Sequence, residues 1–112
     1  MSDNCIFCKI INKVTPSTII KENDDVIVIK DINPKAPVHY LIVPKKHFSD
    51  IRDLQDYNVI LSGKLLLMAK ELSHDLLDSQ SFRLVSNNGK ESGQCVFHFH
   101  IHFLAGKQMS DF

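Results

Sequence analysis

Apolar and polar positions follow two rhythms along this chain, and the change from one to the other marks out the elements. Ile6, Phe7, Ile10 and Ile11 fall at helical spacing, so an amphipathic helix is expected over residues 4–12, capped by Asn4 and barred from continuing by Pro16. Short apolar runs at 18–22 and 26–30, separated by Asn23-Asp24-Asp25, read as the two strands of a hairpin. Pro34 and Pro37 fix a rigid surface loop, suited to holding a ligand, ahead of a strand over 38–43. Over 56–77, Tyr57, Leu61, Leu65, Met68, Leu72 and Leu76 step by three or four and draw one stripe on a long helix that covers the sheet. Residues 82–86 read as a strand, 87–93 as a polar loop and 96–104 as a last strand with alternating faces. Helical crossovers are too few for a parallel sheet. The pattern predicts an α+β fold: an antiparallel sheet of about five strands, a short N-terminal helix and one long helix.

A chain of 112 residues is the size of one domain with one hydrophobic core, so a single domain over 1–112 is expected. Its 13 basic and 13 acidic residues cancel, which argues against nucleic acid or an anionic membrane as partner. Lys45 and Lys46 then read as a solvated turn. The first residues lack the basic and apolar stretches of a signal peptide, and no window reaches transmembrane length, which points to the cytoplasm. Three cysteines fit thiol or metal chemistry better than a disulfide framework.

Candidate chemistry concentrates at His98, His100 and His102, half of the six histidines. On a regular strand these three share one face, about 7 Å apart, while Phe99, Ile101 and Phe103 turn to the core. One histidine on such a face would be unremarkable surface; three in five residues are not. Two chemistries suit them. Paired imidazoles can bind a metal, although one ion would leave a rung unused. Alternatively a neutral imidazole attacks phosphorus while its neighbours hold its tautomer and protonate the leaving group, which uses every rung. Asn87-Asn88-Gly89 and Ser92-Gly93-Gln94 bring amides and backbone N–H groups suited to phosphate oxygens.

The run Gly93-Gln94-x-Val96-x-His98-x-His100-x-His102 resembles the signature of the histidine-triad superfamily. Phe7-x-Lys9-Ile10-Ile11, Asp31-Ile32-x-Pro34-x-Ala36-Pro37-x-His39 and Val43-Pro44-Lys45-Lys46-His47 are similar, in order, to its purine-nucleoside phosphoramidase branch. The resemblance spans nearly the whole chain. It implies a homodimer whose sheets join, and cleavage of nucleoside 5′-phosphoramidates to a purine nucleoside monophosphate and an amine through a nucleotidyl-histidine. By position, His100 would be the nucleophile, His102 would contact phosphate and leaving group, and His39 would belong to the same imidazole network. Asp31 would accept from the ribose hydroxyls. Ile6, Phe7, Ile10, Ile29 and Ile32 would form the slot for the base, and Asn87 with the backbone around Gly93, Gln94 and Cys95 the phosphate loop. Cys95 departs from the pattern, since many members carry a hydroxyl there and a thiol donates more weakly. Ala105 replaces the first of two family glycines, which is tolerated if that position needs no positive φ.

Cys5-x-x-Cys8 by itself could be redox-active, a pair of unrelated buried thiols or half a zinc site. The resemblance to bacterial members implies structural zinc on Cys5, Cys8, His47 and His98, which frees His100 and His102 for chemistry. His74 reads as a surface residue. The competing functions are a zinc-dependent hydrolase, a dinucleoside polyphosphate hydrolase and a nucleotide-binding scaffold with weak catalysis.

Overall fold

A computed structural model describes residues 4–111; the first three residues and Phe112, counted in the expected domain, lie outside the described residues. Helix α1 spans Ile6–Ile11. Its cap is Cys5 in place of the expected Asn4: the Cys5 sulfur accepts from the Cys8 N–H at 3.3 Å. The helix ends before Pro16 is reached, because Lys13 takes the left-handed conformation at φ 63°, a common way to close a helix.

Strands β1 (Ile19–Glu22) and β2 (Val26–Lys30) form the expected antiparallel hairpin. The Asn23 side chain closes its turn, accepting from the N–H groups of Asp25 and Val26 at 2.9 Å each. Strand β3 (Val38–Pro44) pairs with β2, and β5 (Ile101–Ala105) with β3. The short β4 (Arg83–Val85) completes an antiparallel sheet in the order β1-β2-β3-β5-β4.

The middle of this sheet is covered on both faces, which is why Val26, Ile27, Val28 and Ile29 are all buried. Val26, Val28, Ile42, Ile101 and Phe103 pack against Leu65, Met68, Ala69 and Leu72 of α2 (Val59–His74). Ile27, Ile29, Leu41 and Val43 pack on Phe7, Cys8 and Ile10 of α1. The short N-terminal helix is thus fastened to the histidine side of the sheet.

Most elements are trimmed by a residue or two at their ends, and the long helix and the last strand are cut back furthest. The long helix begins at Val59 after a separate one-turn 3-10 helix, Asp56–Asn58, and ends at His74. Tyr57 therefore leaves the buried stripe: it is 77% exposed, with the Lys46 ammonium 5.1 Å from its ring centre. The last strand begins at Ile101 where 96 was expected. Its pairing with β3 reaches Ile42 opposite Ile101, and two positions further on β3 stands Pro44, which has no N–H to continue the ladder. Phe99 N–H bonds to the Phe48 carbonyl instead, at 2.7 Å. The alternation survives, with Phe99, Ile101 and Phe103 all in the core under α2.

The expected polar loop contains a 3-10 turn, Lys90–Ser92, set between Gly89 at φ 96° and Gly93 at φ 103°. Ala105 lies within β5, and the positive φ falls on Gly106, at 95°. A Cβ there would come within 3.0 Å of Pro37, so Gly106 is required and Ala105 is accommodated. Among the described residues no helix is long and apolar enough to cross a membrane.

Candidate active site and metal centre

The three histidines at 98, 100 and 102 are not equivalent rungs, and their fixed hydrogen-bond partners say what each ring can do. A carbonyl only accepts and a peptide N–H only donates, so each such partner determines which ring nitrogen holds the proton. His98 Nε2 lies 2.7 Å from the Pro44 carbonyl and carries the proton, which leaves the Nδ1 lone pair facing the cysteines. His100 Nδ1 lies 2.8 Å from the His98 carbonyl, so its Nε2 lone pair is unused. His39 Nδ1 accepts from the Lys35 N–H at 3.0 Å, which puts the His39 proton on Nε2. That proton points at His102 Nδ1, 2.9 Å away, so His102 carries its own on Nε2. The His100 and His102 rings stand edge to face with centres 5.2 Å apart. Phe7 packs edge-on against His98 and His100, at 5.8 and 5.2 Å.

Burial favours the neutral form of His39, His98 and His102. His102 is pushed down to about 4 by burial first, then by its neighbours His100 and His39, with Asp31 opposing. Burial likewise takes His98 to about 4 and lowers His39. A folded pKa below the free value of 6.5 means that between those two values the unfolded chain binds more protons. Stability is then lost as pH falls from about 6.5 toward 4. Thermal unfolding followed from pH 7.5 to 4 in excess chelator is expected to show a falling Tm, with a shallower fall in His102→Asn. A Tm independent of pH across that window contradicts this assignment.

A cavity of about 620 Å³ opens over His39, His100 and His102. Ile6, Phe7, Ile10, Ile29 and Ile32 form its apolar wall, and Asp31, Asn87, Gly93 and Cys95 its polar side. Ile32 is 90% exposed, an apolar side chain with little over it. Asp31 Oδ1 accepts from the Asn33 N–H at 2.8 Å, and Oδ2 sits 3.3 Å from His39 Nε2.

Gln94 alone of the expected nucleotide residues does not line the cavity. Its buried amide braces the glycine loop, accepting from the Gly89 N–H at 2.8 Å and donating to the Ser49 and Val96 carbonyls at 2.6 and 3.0 Å. Lys30 and Lys35 join the lining unannounced; their signal was adjacency to Asp31 and the proline loop. Exposed Cys95 has its sulfur 3.5 Å from the Gly93 carbonyl. A second cleft of about 830 Å³, between the loop after α2 and the residues after β5, contains no histidine or cysteine.

Among the described residues two side-chain clusters have metal-ligating composition: Cys5, Cys8, His47 and His98, and Asp31, His39 and His102. In a tetrahedral zinc site, ligand nitrogens lie about 3.3 Å from each other and about 3.6 Å from sulfur. In the first cluster the two Nδ1 atoms are 3.1 Å apart, and the sulfur–nitrogen distances are 3.3, 3.3 and 3.6 Å. The His98 lone pair faces this centre, so these residues fit the ion. The second cluster fits poorly, since the His39 nitrogen that faces it carries a proton. Exposed His74 belongs to neither cluster.

A five-stranded antiparallel sheet with imidazoles facing one cavity defines a class of small α+β proteins built around a histidine cluster. The family described as the scavenger mRNA decapping enzyme C-terminal binding region matches residues 4–112. An uncharacterised HIT-like protein of Synechocystis is 46% identical over 98% of this chain and 96% of its own length. The solved HIT family hydrolase of Clostridium thermocellum is 42% identical, covering 100% of this chain and 98% of that one, with a TM-score of 0.94. A zinc-bound histidine-triad protein of Mycobacterium smegmatis is 28% identical over 93% of this chain and 76% of that one, with a TM-score of 0.79. This chain belongs to the histidine-triad (HIT) family.

Proposed function

We propose that the protein is a nucleoside phosphoramidate hydrolase, releasing a purine nucleoside monophosphate from its amine conjugates through a nucleotidyl-His100 intermediate. One observation carries the reading. The His98 carbonyl accepts a hydrogen bond from His100 Nδ1–H, which leaves Nε2 as a lone-pair atom on a ring lining a cavity with an apolar slot at one side and Asp31 at the other. In the first half-reaction His100 Nε2 bonds to the α-phosphorus as the P–N bond to the amine breaks, and a proton goes to the amine nitrogen. Water then cleaves the His100–phosphorus bond, which yields the monophosphate and restores the imidazole. His102 Nε2–H lies on the phosphate side of this step, and His39 holds it in that tautomer. Asp31 receives the ribose hydroxyls. The apolar slot takes the base, with little discrimination between purines.

Zinc on Cys5, Cys8, His47 and His98 belongs to the same reading. It would tie α1 to the segment entering β5 and supply rigidity, leaving the chemical step to imidazoles alone. The resemblance to the phosphoramidase branch also implies a homodimer. Edge strand β4 and exposed Ile60, Leu66 and Leu67 on α2 are surfaces available to it. The test is release of AMP from adenosine 5′-phosphoramidate by wild-type protein, with and without brief exposure to chelator. Chelator-resistant release is the expected result. AMP bound tightly with no release would favour a nucleotide-binding scaffold, and immediate loss of activity on chelation a zinc-dependent hydrolase.

A further inference from the structure

Breaking the P–N bond leaves an electron pair on nitrogen that must take a proton. His102 lines the cavity beside His100. If neutral, it can give up its Nε2 proton only by drawing the His39 proton across their 2.9 Å contact, and His39 would then be an anion. The pair can therefore act as an acid only when it holds one extra proton, and an imidazolium in a buried site needs a counter-charge. The ionisable groups that act on this pair are His100, Lys35 and Asp31, and among these only Asp31 favours the protonated form.

We infer that Asp31 has a second task besides the ribose: its Oδ2, 3.3 Å from His39 Nε2, is the counter-charge that readies the His39–His102 pair to protonate the leaving amine. The inference rests on the nucleotidyl-transfer reading above. It makes Asp31 a positioning residue for the acid. Its two oxygens divide the work, since Oδ1 is already committed to the Asn33 N–H at 2.8 Å. Asp31→Asn retains an oxygen for that turn and removes the charge.

Wild type and Asp31→Asn are compared on three substrates: an alkylamine phosphoramidate of AMP, the same conjugate of 2′,3′-dideoxy-AMP, and the p-nitrophenyl ester of 2′,3′-dideoxy-AMP, whose leaving group departs without a proton and whose sugar offers Asp31 no hydroxyls. The variant is expected to lose about tenfold or more in kcat on both amine conjugates, with or without ribose hydroxyls, and less than about threefold on the nitrophenyl ester. A loss that vanishes on the dideoxy conjugate, is confined to KM or is equal for amine and nitrophenol overturns the inference. Wild-type protein that releases no monophosphate from either amine conjugate would overturn the transfer reading together with it.

Discussion

Replacing His100 with alanine is expected to lower kcat on adenosine phosphoramidate by about 10³-fold or more while leaving the fold intact. The size follows from the role. If His100 supplies the atom that bonds phosphorus, nothing else takes its place, because His102 Nδ1 is engaged by His39 and His98 is turned toward the cysteines. The His100 ring is buried but makes its hydrogen bond to a carbonyl of its own segment. Its loss should therefore change Tm by no more than about 2 °C. Steady-state release of AMP and a thermal melt check both halves. Activity within tenfold of wild type would exclude His100 as nucleophile.

The opposite pattern is expected at the metal centre. Cys8→Ser removes one ligand of the Cys5–Cys8–His47–His98 set and should lower Tm by about 10 °C or more, with bound zinc lost. The magnitude reflects what the ion would join: the start of α1, the segment after β3 and the entry to β5 meet at these four side chains. His98→Asn should behave alike, since His98 is fully buried and its Nδ1 lies within 3.6 Å of three other ligand atoms. Elemental analysis of purified protein gives the second readout, with about one zinc per wild-type chain expected. Wild type without zinc, or a Cys8→Ser variant that melts like wild type, would remove the structural role.

Periodicity revealed much of this molecule. The hairpin of Ile19–Glu22 and Val26–Lys30, the stripe of Leu65, Met68 and Leu72 and the alternation of Phe99, Ile101 and Phe103 are local patterns, and the packing obeys them. What periodicity missed came from partners distant in sequence. Tyr57 fitted the helical spacing but falls in a separate 3-10 turn, where its ring meets Lys46. The last strand begins only at Ile101 because its neighbour runs into Pro44. Spacing made three equal histidines, whereas the Pro44, His98 and Lys35 backbone groups make them three different reagents. Gln94 was expected to serve the phosphate loop through its backbone, and its side-chain amide turns out to brace that loop from behind. No sequence rule announces such a choice of partner.

The nucleotidyl-His100 intermediate is tested most directly by rapid quench of wild-type protein with excess adenosine phosphoramidate, followed by mass spectrometry of the intact chain and of its peptides. An adduct of one adenylyl group on the peptide containing His100, present at early times and absent from His100→Ala, is the predicted result. AMP released at the full rate with no adduct at any time, or an adduct on His98 or His102, would contradict it.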